Sequence, residues 1–392
     1  MKRSRILSVT LALALSSCSE SSSPGYVDVS SLEEKYDSAL SQIFTDTVDI
    51  CDSPLVFGHW GCSYSSDSFI ICESGSKESI DLASGVVSTM CDVPGCVHDE
   101  NISKDCFVYR HINNPVLTRE GMYFTEYSDN TKGKLFYKSG GKTETVFRND
   151  FRSDLDRELE PGGMGSFRFF MRDGVMYVMG LNWFYTVDIS SMTKTCEPVL
   201  LGGSQIFNAD VYGDVFYYSN ENLELYSYDM KTGGNKKLAD KVWKLQPCRD
   251  GLYYFVTEGS KGSIELLPYG ASESQQLLTD VYSEFYVTDE SIYCITDEGT
   301  YLYNKSDRSK TRLALSLTYE NGESYACERP ELLKLISCPS SGYVCLLDSS
   351  KETDVRATNA LFCIKKDTAE VRAISLGIYL QSGGDKGRII SR

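Results

Sequence analysis

Three features of the sequence predict an all-β chain assembled from small repeated sheets. The first is the stretch Gly213–Asp240 (GDVFYYSNENLELYSYDMKTGGNKKLAD), which reads as strand, turn, strand, tight turn and strand. Val215–Tyr218 and Leu223–Tyr228 are rich in the aromatic and branched side chains that suit a pleated, half-buried surface. Asn220–Asn222 and Lys231–Gly234 supply the turns, with glycine available where φ must be positive. The second feature is that the same plan recurs along most of the chain. The third is the spacing of the turns that follow each third strand, near residues 85, 141, 193, 233, 273, 308 and 368. That spacing is uneven for a solenoid and suits propeller blades with loop insertions. The expected fold is therefore a β-propeller of seven four-stranded blades with a short N-terminal helix; six or eight blades stay open.

The chain of 392 residues begins with Met1-Lys-Arg-Ser-Arg5, the apolar run Ile6–Leu15 and then Leu15-Ser-Ser-Cys18. A basic start, a short apolar core and small residues before a cleavage point form a secretory signal peptide, here residues 1–17. Leu15-Ser-Ser-Cys18 resembles the lipobox of bacterial lipoproteins, which implies cleavage before Cys18 and a diacylglycerol on its sulfur. Residues 18–30 include Ser19–Gly25 (SESSSPG), a flexible spacer of the kind that separates a lipid from a folded body. Residues 31–45 are expected to form a short helix. Ser31 with Glu34 makes a capping pattern, and Leu32, Tyr36, Leu40 and Ile43 share one face.

Residues 46–392 are expected to be the propeller. The paired segments are Ser68–Cys72 with Ile80–Gly85, Gly121–Glu126 with Lys134–Lys138, and Gly174–Met179 with Phe184–Ile189. The opening repeat follows, then Gly251–Thr257 with Ser263–Tyr269, Ser291–Thr296 with Thr300–Asn304, and Gly342–Leu347 with Ala360–Lys365. Asp81-x-x-x-Gly85 reproduces the turn Asp229-x-x-x-Gly233. Either Thr47–Cys51 or Arg388–Ser391 is expected to complete a terminal blade. Leu225-Tyr-Ser-Tyr-Asp-Met-Lys-Thr-Gly-Gly234 followed by Lys236-Lys-Leu238 resembles blades of TolB-type exported propellers, over roughly residues 66–376. The resemblance implies the fold and carries no catalytic residue with it.

The chain has 39 basic and 55 acidic residues, a net charge of −16, and loss of Lys2, Arg3 and Arg5 with the leader makes it −19. Such a surface repels phosphate backbones and anionic lipid, so no nucleic-acid partner is expected and the acyl chains must hold the protein at the membrane. Of 14 cysteines, 13 remain once Cys18 is lipidated, and an odd number cannot pair completely within the chain. Cys72, Cys294, Cys345 and Cys363 sit inside apolar strand runs and read as small buried hydrophobes.

Cys91-Asp-Val-Pro-Gly-Cys96-Val-His98, followed by Cys106, is the one dense constellation. Three thiolates and an imidazole can fill a tetrahedral zinc shell, and Pro94-Gly95 would turn Cys96 back toward Cys91. A disulfide among the three cysteines would staple the same loop, so structural zinc and disulfide both stand, with unpaired thiols as the third reading. The motif resembles one in β-propeller lipoproteins of Firmicutes, a likeness that brings no role with it. His59, before Trp60 and Cys62, reads as a structural histidine of a strand-rich region, His111 has no nucleophile or ligand at useful spacing, and Asp154, Asp156 and Glu158 read as a solvated acidic loop rather than a calcium site. No nucleophile elbow, phosphate loop or dinucleotide fingerprint is present. The expectation is a non-catalytic binding or scaffolding module, lipid-anchored on the extracytoplasmic face of the cell membrane, with a protein or glycan ligand. The alternatives are a glycan-active enzyme using channel carboxylates, with Trp60, Trp183 or Trp243 as stacking platforms, and an envelope assembly factor.

Overall fold

The computed structural model describes residues 61–64, 68–73, 76–91, 106–107, 112–117, 121–126, 133–139, 142–159, 167–172, 174–318, 324–327, 330, 333–337, 342–348 and 360–375. Nearly all of these lie in antiparallel sheets whose strands follow one another in chain order. First strands of neighbouring sheets run side by side: Gly61–Tyr64 by Ile112–Leu117, Ile206–Tyr212 by Val242–Cys248, and Phe285–Val287 by Leu333–Ser337. The first strand of each sheet is thus the inner one, and the chain is a β-propeller.

Burial follows that arrangement. Second strands are buried almost throughout, as in Val215–Asn220, Gly251–Thr257 and Ser291–Thr296. A strand covered on both faces must read as a continuous apolar run, which is how Val-Phe-Tyr-Tyr and Leu-Tyr-Tyr-Phe-Val read. Outer strands such as Lys310–Arg312 are exposed and carry charge, which protects a free edge from pairing with another chain. The core is a series of interfaces between neighbouring sheets. Phe170, Tyr177 and Phe184 of one sheet pack with Ala209, Phe216 and Tyr218 of the next. Phe184 and Phe216 stack face to face with ring centroids 4.0 Å apart. Tyr217 and Leu225 then meet Leu252 and Tyr254, and Tyr286 and Tyr293 meet Val344 and Phe362.

The Asp-x-x-x-Gly pattern is a turn whose fifth residue is left-handed. Gly85 and Gly233 have φ of 77° and 75°, and their N–H groups donate to the carbonyls of Asp81 and Asp229. The Asp229 carboxylate accepts from the N–H groups of Lys231 and Thr232, which fixes the start of the turn. The same conformation recurs where glycine does not: Met192, Arg308 and Ala369 have φ of 51°, 61° and 55°. The residue after the turn's first position reaches back to the preceding sheet. Ile189 and Met230 do so as core packing, Lys305 as an ion pair to Asp250 at 2.8 Å, and Lys366 as a donor to the Tyr286 hydroxyl at 3.2 Å.

Several sequence expectations are corrected. Seven four-stranded blades were expected, and among the described residues six sheets have four strands; the sheet spanning Arg168–Leu200 has five. Its outer edge is split into Thr193–Lys194 and Val199–Leu200, both paired to Trp183–Asp188, because the four residues 195–198, Pro198 among them, stand opposite only Tyr185 and Thr186 and so break the ladder. An unexpected two-stranded hairpin, Ser316–Thr318 with Ser324–Ala326, lies between the sheets at Phe285–Arg312 and Leu333–Ser375. The first and last sheets each have four strands of their own, and they meet where the Arg372 guanidinium donates to the carbonyl of Ala83. The expected helix at 31–45, Thr47–Cys51 and Arg388–Ser391 lie outside the described residues.

The turns give a test of local strain. A Cβ at Gly233 meets only the Tyr228 hydroxyl, at 3.7 Å, so the cost of Gly233→Ala is confined to its left-handed backbone, about 1 kcal/mol. Ala369→Gly relieves the same strain and should raise the urea midpoint while Gly233→Ala lowers it. Equal, same-signed shifts would show that backbone conformation does not govern this turn.

Candidate functional site

Polar side chains on the inner strands reach across to the next sheet. Arg172 makes a two-pronged ion pair with Asp210, 2.8 Å for each nitrogen–oxygen contact, and Arg168 donates to the carbonyl of Ile206 at 2.8 Å. Asn208 donates to the carbonyl of Trp243. Lys244 pairs with Glu284 at 2.8 Å, and the Gln246 amide both donates to and accepts from the backbone of Val287, each at 2.8 Å. The Glu284 carboxylate accepts in turn from the N–H of Leu335 at 3.4 Å. Burial pulls the Arg168 guanidinium down to about 10 against the attraction of Asp156, so it stays charged at neutral pH.

The acidic segment expected to be a solvated loop is a single-turn helix, α1 (Asp154–Leu159), with Asp156 buried. Ser153 and Asp156 cap it reciprocally. The carboxylate accepts from the N–H and hydroxyl of Ser153, each at 2.7 Å, and Asp156 N–H donates back to the Ser153 hydroxyl at 3.2 Å. The same carboxylate accepts from the Trp183 indole N–H at 2.5 Å and from Leu181 N–H at 3.1 Å. Asp156 is therefore engaged by internal donors. Trp183, only 2% exposed, is stacked on Tyr185 and edge-on to Phe151. A side chain at Gly180 would overlap its indole. Trp183 is a packing residue, whereas Trp60 lies outside the described residues.

Trp243 differs. It is 41% exposed, on the inner strand Val242–Cys248, and its ring lies 4.8 Å from that of Phe207 on the neighbouring inner strand. Lys244 and Glu284 follow beside it. At the opposite end of the same two strands Tyr212 and Tyr269 stack at 5.0 Å, 41% and 39% exposed, with the Tyr269 hydroxyl donating to the carbonyl of Cys248 at 2.6 Å. Each end of this pair of sheets therefore presents a wet aromatic pair, an arrangement suited to flat or apolar ligand faces.

Cys91 and Cys106 are brought together. Their sulfurs are 3.4 Å apart and both residues are buried, beside the cluster of Met90, Phe107, Ile112, Met122 and Phe124. Two thiolates bound to one zinc at about 2.3 Å would sit about 3.8 Å apart, while a disulfide needs about 2.05 Å, so small movements reach either state. Cys96, His98 and Cys18 lie outside the described residues, as do His59 and His111. Among the described residues no group of three or more His, Cys, Asp or Glu side chains is placed to hold a metal. Cys294, Cys345 and Cys363 are buried, as their strand positions led one to expect.

No protein-family model matches the chain. No curated protein sequence matches it either. Solved structures similar to it include PorZ, an essential bacterial surface component of the type-IX secretion system of Porphyromonas gingivalis. That likeness has 11% identity and a TM-score of 0.42 over 84% of this chain, which spans only 46% of PorZ. BamB from Moraxella catarrhalis is similar at 11% identity and a TM-score of 0.42, over 72% of this chain and 78% of BamB. An oligogalacturonate lyase in complex with manganese is similar at 10% identity and a TM-score of 0.45, over 76% and 84% of the two chains. The propeller assignment rests on the order and packing of the sheets themselves.

The Asp156 node makes a pH-dependent prediction. Burial alone would raise its carboxyl pKa, but the donors from Ser153, Trp183 and Leu181 outweigh it and hold the group below the usual carboxylate range. With the folded value depressed, the stabilisation is complete above the unfolded value of about 4 and is lost as pH falls through the folded one. Asp156→Asn should cost about 2 kcal/mol at neutral pH, and its deficit against wild type should shrink below about pH 4. A deficit independent of pH would assign the loss to shape rather than charge.

Proposed function

We propose that this chain is a lipid-anchored, extracytoplasmic propeller that binds a ligand or scaffolds a complex without transforming it. The observation that carries this reading is the exposed Trp243–Phe207 pair at one end of the inner strands, held by the Asn208 contact and flanked by Lys244 and Glu284. Exposed tryptophan is costly to leave wet, and here it is displayed rather than packed away as Trp183 is. The leader ending in Leu15-Ser-Ser-Cys18 supports the tether, and the acidic net charge leaves attachment to the acyl chains.

Photo-crosslinking in intact cells tests the binding role. A benzophenone amino acid at position 243 should yield a discrete adduct that one at the exposed Val86 does not. Indistinguishable patterns at the two positions would remove the binding role from this face. A glycan rather than a protein in the adduct would favour the carbohydrate reading. Lipidation is tested by mass spectrometry of the native protein, which should begin at Cys18 with acyl mass added; Cys18→Ala should release it from the membrane fraction. A soluble wild-type product starting elsewhere would end the anchoring proposal.

Cys91, Cys96, His98 and Cys106 belong to the same proposal as a structural cross-link, either one zinc or a disulfide. Their chemistry fits a thiolate-rich zinc shell, and two of the four, Cys91 and Cys106, are buried with their sulfurs 3.4 Å apart. With zinc, anaerobically purified protein should hold about one ion per chain and His98→Ala should lower that content. With a disulfide, metal is absent and peptide mapping joins two of the three cysteines. Native protein with no metal and three alkylatable thiols would overturn both.

A further inference from the structure

The sheet spanning Leu333–Ser375 holds a second pair of cysteines. Cys345 and Cys363 lie directly opposite each other on the adjacent strands Tyr343–Asp348 and Ala360–Lys365, with their sulfurs 4.0 Å apart. The ladder fixes which kind of pair they are. Lys366 N–H donates to the carbonyl of Gly342, so the next opposed pair inward, Tyr343 and Lys365, is a non-hydrogen-bonded one. The alternation has a period of two, so Cys345 and Cys363 are also a non-hydrogen-bonded pair. Opposed Cα atoms at such positions come within about 4.5 Å, which is inside the range a disulfide spans. The backbone thus brings the two residues within reach of a disulfide, and side-chain rotation with a small approach of the strands closes the remaining gap between the sulfurs.

We infer that Cys345 and Cys363 form a cross-strand disulfide that staples the two middle strands of the sheet adjoining the first. In the oxidation, the thiolate of one cysteine attacks a sulfur of a disulfide oxidant. A mixed disulfide forms and one thiolate of the oxidant leaves. The second cysteine, as thiolate, then attacks the protein sulfur of that mixed bond and displaces the other half of the oxidant. Two cysteine thiols lose two electrons and two protons, and the oxidant's sulfur–sulfur bond becomes two thiols. Cys345 and Cys363 are 0% and 1% exposed, so the exchange takes place while the hairpin is paired but not yet packed. Once packed, the bond is shielded from reductant.

The test uses the full chain, denatured and reduced, then refolded in a glutathione redox buffer and quenched with N-ethylmaleimide. Non-reducing peptide mapping should find Cys345 joined to Cys363. The linkage should resist dithiothreitol in the native state and yield to it in denaturant. In a Cys91→Ala, Cys106→Ala background, which removes the other close pair and leaves Cys96 without either partner, prior reduction should lower the melting temperature by roughly 5 °C. Adding Cys345→Ala and Cys363→Ala should abolish that dependence on reduction. Recovery of both cysteines as N-ethylmaleimide adducts from the refolded wild-type chain, or either one mapped to a different partner, would overturn the inference. The mapping needs no variant, so it decides the matter even if the alanine substitutions fail to fold.

Discussion

Everything in this fold depends on the contact between one sheet and the next. No sheet here covers its own faces, so each middle strand is buried only because a neighbour lies on either side of it. The apolar part of that contact is broad and non-directional. Stacked rings such as Phe184 on Phe216 tolerate sliding, and burial alone would leave the angle between sheets loosely set. The polar contacts on the inner strands supply direction. Arg172 on Asp210, Gln246 on the backbone of Val287 and Glu284 between Lys244 and Leu335 each fix one sheet's inner strand against the next. Partly buried and two-pronged, they favour one register over its neighbours.

The turn after the third strand makes a second tie, further out from the inner strands. Its left-handed fifth residue closes the turn, which aims the second residue at the preceding sheet. Whether that residue is apolar, as Met230 is, or a lysine, as Lys305 and Lys366 are, the position serves one purpose. Lysine can stand in for methionine because its methylene stem packs while its ammonium finds a carboxylate or an aromatic face. Lys305 does both, with Asp250 and the ring of Tyr253.

The architecture was legible because its signals are local. Strand runs, turns and the Asp-x-x-x-Gly spacing each lie within a few residues, and the pairs read from sequence recur in the ladders of Val215–Asp229 and Ser291–Asn304. The reading fails where a local departure overrides a repeat. Two extra residues within 195–198 split an outer strand, and the Ser153-x-x-Asp156 capping signal hides among three alternating acids that look like a solvated loop. That signal, adjacent to Arg152 and Phe151, was the one available sign of a buried carboxylate. The candidate site was less legible still. Trp183 and Trp243 are each flanked by apolar and polar neighbours, and only the packing of sheets separates the buried indole from the exposed one. The pairing of Cys91 with Cys106 spans a connection whose path no local rule sets.

The cysteines are unevenly spread along the chain. From residue 107 to residue 293 there are only two, Cys196 and Cys248, whereas six fall between residues 51 and 106 and five between residues 294 and 363. The first of those regions contains the first sheet and the second reaches into the last, and these two sheets meet at Arg372 and Ala83. At that meeting place the described sheets each use their own four consecutive strands, so closure there is made by side chains and turns rather than by a shared ladder. A junction of that kind is the weakest in a ring, because every other pair of sheets is also joined by the chain running directly between them. Thiols are concentrated on both sides of the place where the backbone supplies least. The aromatic pairs of the Ile206–Ala239 and Val242–Val281 sheets lie away from that junction, on a part of the ring that the chain itself already holds.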